Sequence, residues 1–207
     1  MPTTAPVPPL SFPLFHPGSE PGWKITASER KFDNPHVSVD LNHYLTPGRP
    51  VKPQPWMVVG RKAAVAIAPR LADGRFVLIA QERLPVRQTL WEFPAGQIDT
   101  ETTCESIVAT SLNELREEAG LALEPETGKL TPMGWFFPSQ GFTDEIVYLF
   151  HAEPVCVASQ PEPEGSEHIS SVRFASAGEL RRMIAENEIT NALSLALFAR
   201  MAAKGLL

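Results

Sequence analysis

The sequence predicts an α/β (α+β) sandwich, helix on mixed sheet on helix, preceded by a small N-terminal β element. Three observations carry that prediction. An acidic, amphipathic helical pattern at 103–119 lies between apolar strand-like runs; two further helical patterns occupy 177–185 and 190–203; and short strand-like pieces separated by turn residues fill the stretch before residue 60. With 207 residues and 43% hydrophobic content, the chain can bury a sizeable core as one domain plus an attached element.

Along the chain, residues 1–22 carry seven prolines and read as an extended tail that Phe12, Leu14 and Phe15 could pin to the body. Residues 23–60 follow as a β element, with strands expected at 23–27, 36–44 and 55–59 and turns at Asp33-Asn34-Pro35 and Thr46-Pro47-Gly48. From about residue 61 to 207 a larger domain is expected. Its strands are placed at 63–68 and 76–81, the acidic helix at 103–119, and further strands at 132–137, 146–152 and 170–174, before the two closing helices.

Composition excludes several functions. A net charge of -6 argues against nucleic-acid binding as the main activity, because a polyanion binder displays an excess of Lys and Arg. Cys104 and Cys156, the two cysteines, offer no disulfide framework and no zinc pattern. No apolar run approaches the length of about 20 residues needed to span a bilayer, so no membrane role is expected, and the reducing cytoplasm is the natural setting.

The acidic helix holds the most informative chemistry. At roughly 100° per residue, Val108, Leu112 and Ala119 fall near Leu115 and form an apolar stripe. Glu114, Glu117 and Glu118 then share an adjoining arc. Crowded carboxylates destabilise a helix unless a counter-ion sits among them, and an all-oxygen set suits a hard cation such as Mg²⁺ or Mn²⁺. An ordinary solvated acidic face would show the same spacing, and the arc alone leaves both readings open. Gly120 is placed to end the helix in a left-handed cap.

The flanking residues narrow the choice. Phe93-Pro94-Ala95-Gly96 forms a turn after an apolar strand, and Glu105 opens the run that ends in Asn113-Glu114-Leu115-Arg116-Glu117-Glu118-Ala119-Gly120-Leu121. Together these resemble the Nudix box, G-x5-E-x7-R-E-U-x-E-E-x-G-U, where U is aliphatic. Two departures stand out: the gap from Gly96 to Glu105 is three residues longer than the pattern, and Asn113 replaces its Arg. A longer loop is tolerable. An amide brings no charge, so looser preorganisation of the carboxylates is expected.

Over roughly residues 23–203 the resemblance extends to the ADP-ribose pyrophosphatase-like branch: Leu90-Trp91-Glu92-Phe93-Pro94-Ala95-Gly96 looks like its strand and turn, Gln81-Glu82-Arg83 like its phosphate-contacting strand end, and Gly141-Phe142-Thr143-Asp144-Glu145 like its catalytic loop. The resemblance implies a Nudix α/β/α sandwich and a metal site built from the Ala95 carbonyl, Glu114, Glu117 and Glu118. Glu105 is expected to be a structural partner of the helix. Glu145 becomes the general-base candidate, in a loop able to swing over the metals, with Asp144 as its neighbour and Glu117 also assigned to catalysis. Arg83 is expected to bind the diphosphate and Trp23 to stack on the base; Trp56, Trp91 and Trp135 are expected in the core or an interface. Implied with these are a homodimer formed through residues 23–60, Mg²⁺ or Mn²⁺ as cofactor, and cleavage of ADP-ribose or a related nucleoside diphosphate sugar to AMP and a sugar phosphate. Other Nudix substrates (GDP-mannose, NADH, a dinucleotide) and a catalytically weak nucleotide sensor are the alternatives, the latter motivated by Asn113.

Overall fold

The computed structural model describes residues 10–162, 165 and 167–207; the first nine residues of the Pro-rich tail lie outside it. Two sheets and three helices are present among these residues. The first sheet is a three-stranded antiparallel meander of β1 (Lys24–Asp33), β2 (Ser38–Thr46) and β3 (Arg49–Gly60). Its strands are longer than the sequence suggests. Pro50, Pro53 and Pro55 argue for a late start to β3, but β3 is an edge strand, where a missing N–H can face away from the ladder.

The larger sheet is built from β4 (Ala64–Leu71), β5 (Phe76–Arg83), β6 (Gln88–Glu92), β7 (Ala95–Gln97), β8 (Leu121–Leu123), β9 (Lys129–Phe136), β10 (Val147–Val157) and β11 (Ile169–Ala175). Its central order is β11-β5-β4-β10-β8. The β4–β10 pair is parallel and the other pairs are antiparallel, which makes the sheet mixed, as expected. β8 is absent from the sequence reading because three residues directly after a helix carry no period of their own. β10 also runs further than expected, past Pro154, which falls in the register shift between Ala152 and Val155 where no regular ladder bond is required.

The helices α1 (Cys104–Ala119), α2 (Ala177–Ala185) and α3 (Ala192–Ala203) cover the two faces. Strand alternation decides which side chain goes where. In β4, Ala64, Ala66 and Ala68 face the α2–α3 layer, while Val65 and Ile67 face α1. β5 repeats the division, Phe76 and Leu78 against Val77 and Ile79, and β10 does so with Val147 and Leu149 against Tyr148 and Phe150. Both faces of these strands are buried, so the runs read as continuously apolar.

α1 begins at Thr103, whose side chain accepts from the Ser106 N–H while Ser106 returns the bond, and it ends at Gly120 with φ 66°, the expected left-handed cap. Its buried face is Ile107, Ser111, Leu115, Glu118 and Ala119, with Val108 and Leu112 only partly covered. The stripe is therefore rotated from the predicted one toward Glu118. Ser111 satisfies its buried hydroxyl by donating to the Ile107 carbonyl.

The end of the Pro-rich segment is pinned to the α1 side of the core, as its aromatics suggested. Phe12 meets the rings of Tyr148 and Phe150 at 6.2 and 5.5 Å, and Phe15 meets Trp135 and Phe137 at 4.9 and 5.0 Å. Trp91 and Trp135 are partly buried against the core, whereas Trp56 is exposed on the small sheet and is not a core residue. Phe12→Ala should lower stability by about 1–2 kcal/mol in urea denaturation, since a partly buried Phe contributes less than the roughly 1.5–3 kcal/mol of full burial. A change near zero would show that the strap is not part of the core.

Candidate active site

The site begins where β6 turns into β7. The Phe93 N–H is held by the Ser194 hydroxyl of α3 at 2.8 Å, and the Pro94 carbonyl accepts from the Ile67 N–H of β4 at 2.9 Å. One layer of helices and the central strand thus fix the turn from both sides. Its next two residues meet α1. The Ala95 N–H donates to Glu118 Oε2 at 2.8 Å. A Cβ at Gly96 would lie 1.7 Å from Glu114 Oε1, so only glycine lets that carboxylate rest against the backbone.

Glu118 is fully buried, and its other oxygen, Oε1, has no hydrogen-bond partner among the described residues. Burial, and then the nearby charge of Glu114, push its carboxyl well above the usual carboxylate range; the Ala95 N–H opposes the shift, as does the charge of Arg83. A buried carboxylate with an orphaned oxygen beside a second carboxylate suits a hard divalent cation. Glu117, next in the arc, turns toward Arg116 Nη2 at 2.6 Å. Among the described residues no three acidic, His or Cys side chains converge as a closed metal cluster. Glu114 and Glu118 are thus brought to the Ala95–Gly96 turn, and Glu117 remains beside them on the guanidinium side.

Arg83 reaches the same region from the end of β5, but it does not stand alone. Its Nε and Nη2 donate to Glu92 Oε1 and Oε2 at 3.0 and 2.7 Å, a two-point pair with a carboxylate that is 1% exposed. Burial opposes the charge on Arg83, yet Glu92, with Glu118 and Glu167 further off, outweighs it and raises its pKa. Glu92 stands in the Leu90–Gly96 segment with no role expected of it from sequence. Its signal was available: a carboxylate inside the apolar run Leu90–Phe93 must be paired if it is buried. Glu167, whose charge acts on both Glu118 and Arg83, carried no local signal.

Glu105 is exposed in the first turn of α1, where its charge favours the helix N-terminus. Asn113 is exposed one residue before Glu114. Trp23 is half exposed just before β1, and among the described residues no ring contact joins it to the box. The Gly141–Glu145 loop is bonded at several points in this conformation. Its backbone and side chains bond to β3 and Arg61, and Glu145 Oε1 lies 3.5 Å from the Arg61 guanidinium. That junction borders an open cleft of about 350 Å³ lined in part by Arg30, His36, Arg61 and Asp144.

An acidic helix docked on a glycine turn, with Glu114 and Glu118 brought to it, is the arrangement the Nudix box describes, apart from Asn113 at its arginine position, and the NUDIX domain model matches residues 60–197. The chain belongs to the Nudix family and is a Nudix pyrophosphohydrolase. Within it the chain falls in the ADP-ribose pyrophosphatase-like branch. It is 29% identical over 135 residues to an ADP-ribose pyrophosphatase of Bacillus subtilis, covering 65% of this chain and 69% of that protein. A Mycobacterium tuberculosis protein of the same name is 29% identical over 139 residues, 67% of this chain and slightly under two thirds, 64%, of its own length. The crystal structure of an ADP compounds hydrolase superposes with a TM-score of 0.70 over 89% of this chain and 97% of that one; at 15% identity it speaks for the fold alone.

Two outcomes test this geometry. Gly96→Ala should displace the Glu114 carboxylate and weaken Mn²⁺ binding roughly 10- to 100-fold by calorimetry, with the circular dichroism spectrum unchanged. Unaltered affinity would remove Glu114 from the metal site. The raised carboxyl of Glu118 contributes stability that is complete below the ordinary carboxylate range and is lost as pH rises through its folded-state value. In EDTA, Glu118→Gln should therefore melt a few degrees above the parent at neutral pH, with about 1 kcal/mol corresponding to roughly 2–4 °C in a chain of this size. That gain should vanish toward pH about 4. A lower melting temperature at neutral pH would mean that the buried carboxylate is compensated.

Proposed function

We propose that the protein hydrolyses the diphosphate of ADP-ribose, or of a related nucleoside diphosphate sugar, in a Mg²⁺-dependent reaction that yields AMP and a sugar phosphate. The observation that carries this reading is Glu118: a buried carboxylate with one oxygen fixed by the Ala95 N–H and the other without a partner among the described residues, beside Glu114 on Gly96. The Ala95 carbonyl, Glu114, Glu117 and Glu118 would hold the cation, and Mn²⁺ could take its place. When bound, such an ion neutralises phosphate charge and makes a coordinated water more acidic.

The protein's own groups supply the rest. Arg83, held in one orientation by Glu92, presents its guanidinium to the diphosphate so that the scissile P–O bond is aligned. Glu145 accepts the proton of the attacking water, with Glu117 as the second catalytic carboxylate. Water adds to one phosphorus, the bridging oxygen leaves with the other phosphate, and ADP-ribose gives AMP and ribose 5-phosphate.

Residues 23–60 form the dimerisation element in this reading. Trp23, Ile25, Phe32, Trp56 and Met57 are large apolar side chains exposed on the small sheet, which favours a second copy of the chain as partner, with Trp23 covering a base. The two free, half-buried thiols suit the cytoplasm. No helix among the described residues is long and apolar enough to cross a membrane.

AMP release from ADP-ribose, measured with Mg²⁺ and with Mn²⁺ beside GDP-mannose and NADH, tests the reading. Glu118→Gln should lower kcat by roughly 10²–10³-fold. Near-normal turnover by that variant would refute the metal assignment. Saturable ADP-ribose binding without AMP release would favour a sensor, the outcome that Asn113 makes worth measuring.

A further inference from the structure

The Gly141–Glu145 loop is bound along its length to the last residues of β3 and the residue after it. The Trp56 indole N–H donates to the Gly141 carbonyl at 2.8 Å, across 85 residues of sequence. The Val59 N–H donates to the Phe142 carbonyl at 2.7 Å, and the Asp144 N–H returns to the Val59 carbonyl at 3.4 Å. One step on, the Arg61 N–H donates to Asp144 Oδ1 at 2.9 Å, while its guanidinium lies 3.5 Å from Glu145 Oε1. Inside the loop, Thr143 Oγ1 accepts from the Glu145 N–H at 3.1 Å. Beyond it the Ile146 carbonyl is fixed by the Ala64 N–H of β4.

Two of these contacts belong to side chains that the backbone does not require. Trp56 is 56% exposed, so its packing alone does not explain an indole aimed at a loop carbonyl. The Arg61 side chain meets the one loop carboxylate to which catalysis is assigned, across 84 residues of sequence. A carboxylate accepting a proton from water must be held within hydrogen-bond reach of that water, and an unrestrained loop would spend most of its time elsewhere. We propose that Trp56 and Arg61 are positioning residues through which the N-terminal sheet sets the location of Glu145. This rests on the reading of Glu145 as general base, and it gives the N-terminal element a role within its own subunit, distinct from dimerisation.

The test uses the full-length protein with Mg²⁺ and ADP-ribose. Trp56→Phe removes the N–H donor but keeps an apolar ring on the exposed face, and should lower kcat roughly 2- to 10-fold, the range of one hydrogen bond, with KM and melting temperature unchanged. Arg61→Gln should lower kcat as well, and Arg61→Lys should recover part of the loss. In a Glu145→Gln background neither change should have a further effect, because both act through Glu145. Unchanged kcat in Trp56→Phe and Arg61→Gln, with Glu145→Gln impaired, would overturn the positioning role and leave Glu145 as base. A rise in KM alone would make Trp56 a substrate contact and overturn it too. Full activity of Glu145→Gln would refute the general-base reading itself, and any kcat loss in Trp56→Phe would then have to act through another group.

Discussion

The Glu118 carboxylate joins three parts of the molecule. Its oxygen on the Ala95 N–H fixes α1 against the β6–β7 turn, the turn is held by β4 and α3, and the charge of Glu114, whose carboxylate rests against Gly96, acts on it. A buried carboxylate with a hydrogen-bond partner on only one oxygen among the described residues opposes folding. The surrounding layers make it bearable. Leu115 and Ala119 of the same helix bury apolar surface on Val65 and Ile67, so the helix is held by its neighbours while Glu118 is held for its chemistry.

The division of β4 into an alanine face and a Val/Ile face follows from this arrangement. Small side chains admit the α2–α3 layer, whose Ser194 reaches the Phe93 N–H. Larger ones fill the space beneath α1. A turn anchored from both layers cannot drift when the helix charges repel it, and so the backbone around Ala95 and Gly96 stays where a cation would need it.

What the sequence made legible was local. The Gly120 cap, the apolar strands and the Pro-Ala-Gly turn each have a period or a residue type with a physical reason behind it, and each lies where it was expected. The rotation of the α1 stripe toward Glu118 was not legible, because a hydrophobicity pattern assigns carboxylates to the outside and only the turn's N–H brings one inward. Nor was the clamp on the Gly141–Glu145 loop. Trp56 and Gly141 are distant in sequence, and no spacing rule connects an edge strand with a loop that far away. The partners of this glycine-led loop lie in another sheet, where no local pattern points to them. Trp23 falls between these cases, since the single chain leaves it half exposed.

Electrostatics give the loss of the box arginine a more specific meaning. Glu92, Glu114, Glu117, Glu118 and Glu167 act in this region against Arg83 and Arg116. Asn113 adds no charge, and the guanidinium that meets Glu117 comes from Arg116, three residues along the same helix. That pair is open to solvent on the arginine side and holds its carboxylate weakly. Arg83 is held by Glu92 through a two-point pair. A diphosphate approaching such a site meets more negative than positive charge and would be repelled at close range. Under the proposed reading a divalent cation would offset that charge for substrate binding as well as for chemistry, and substrate and metal affinities should rise and fall together.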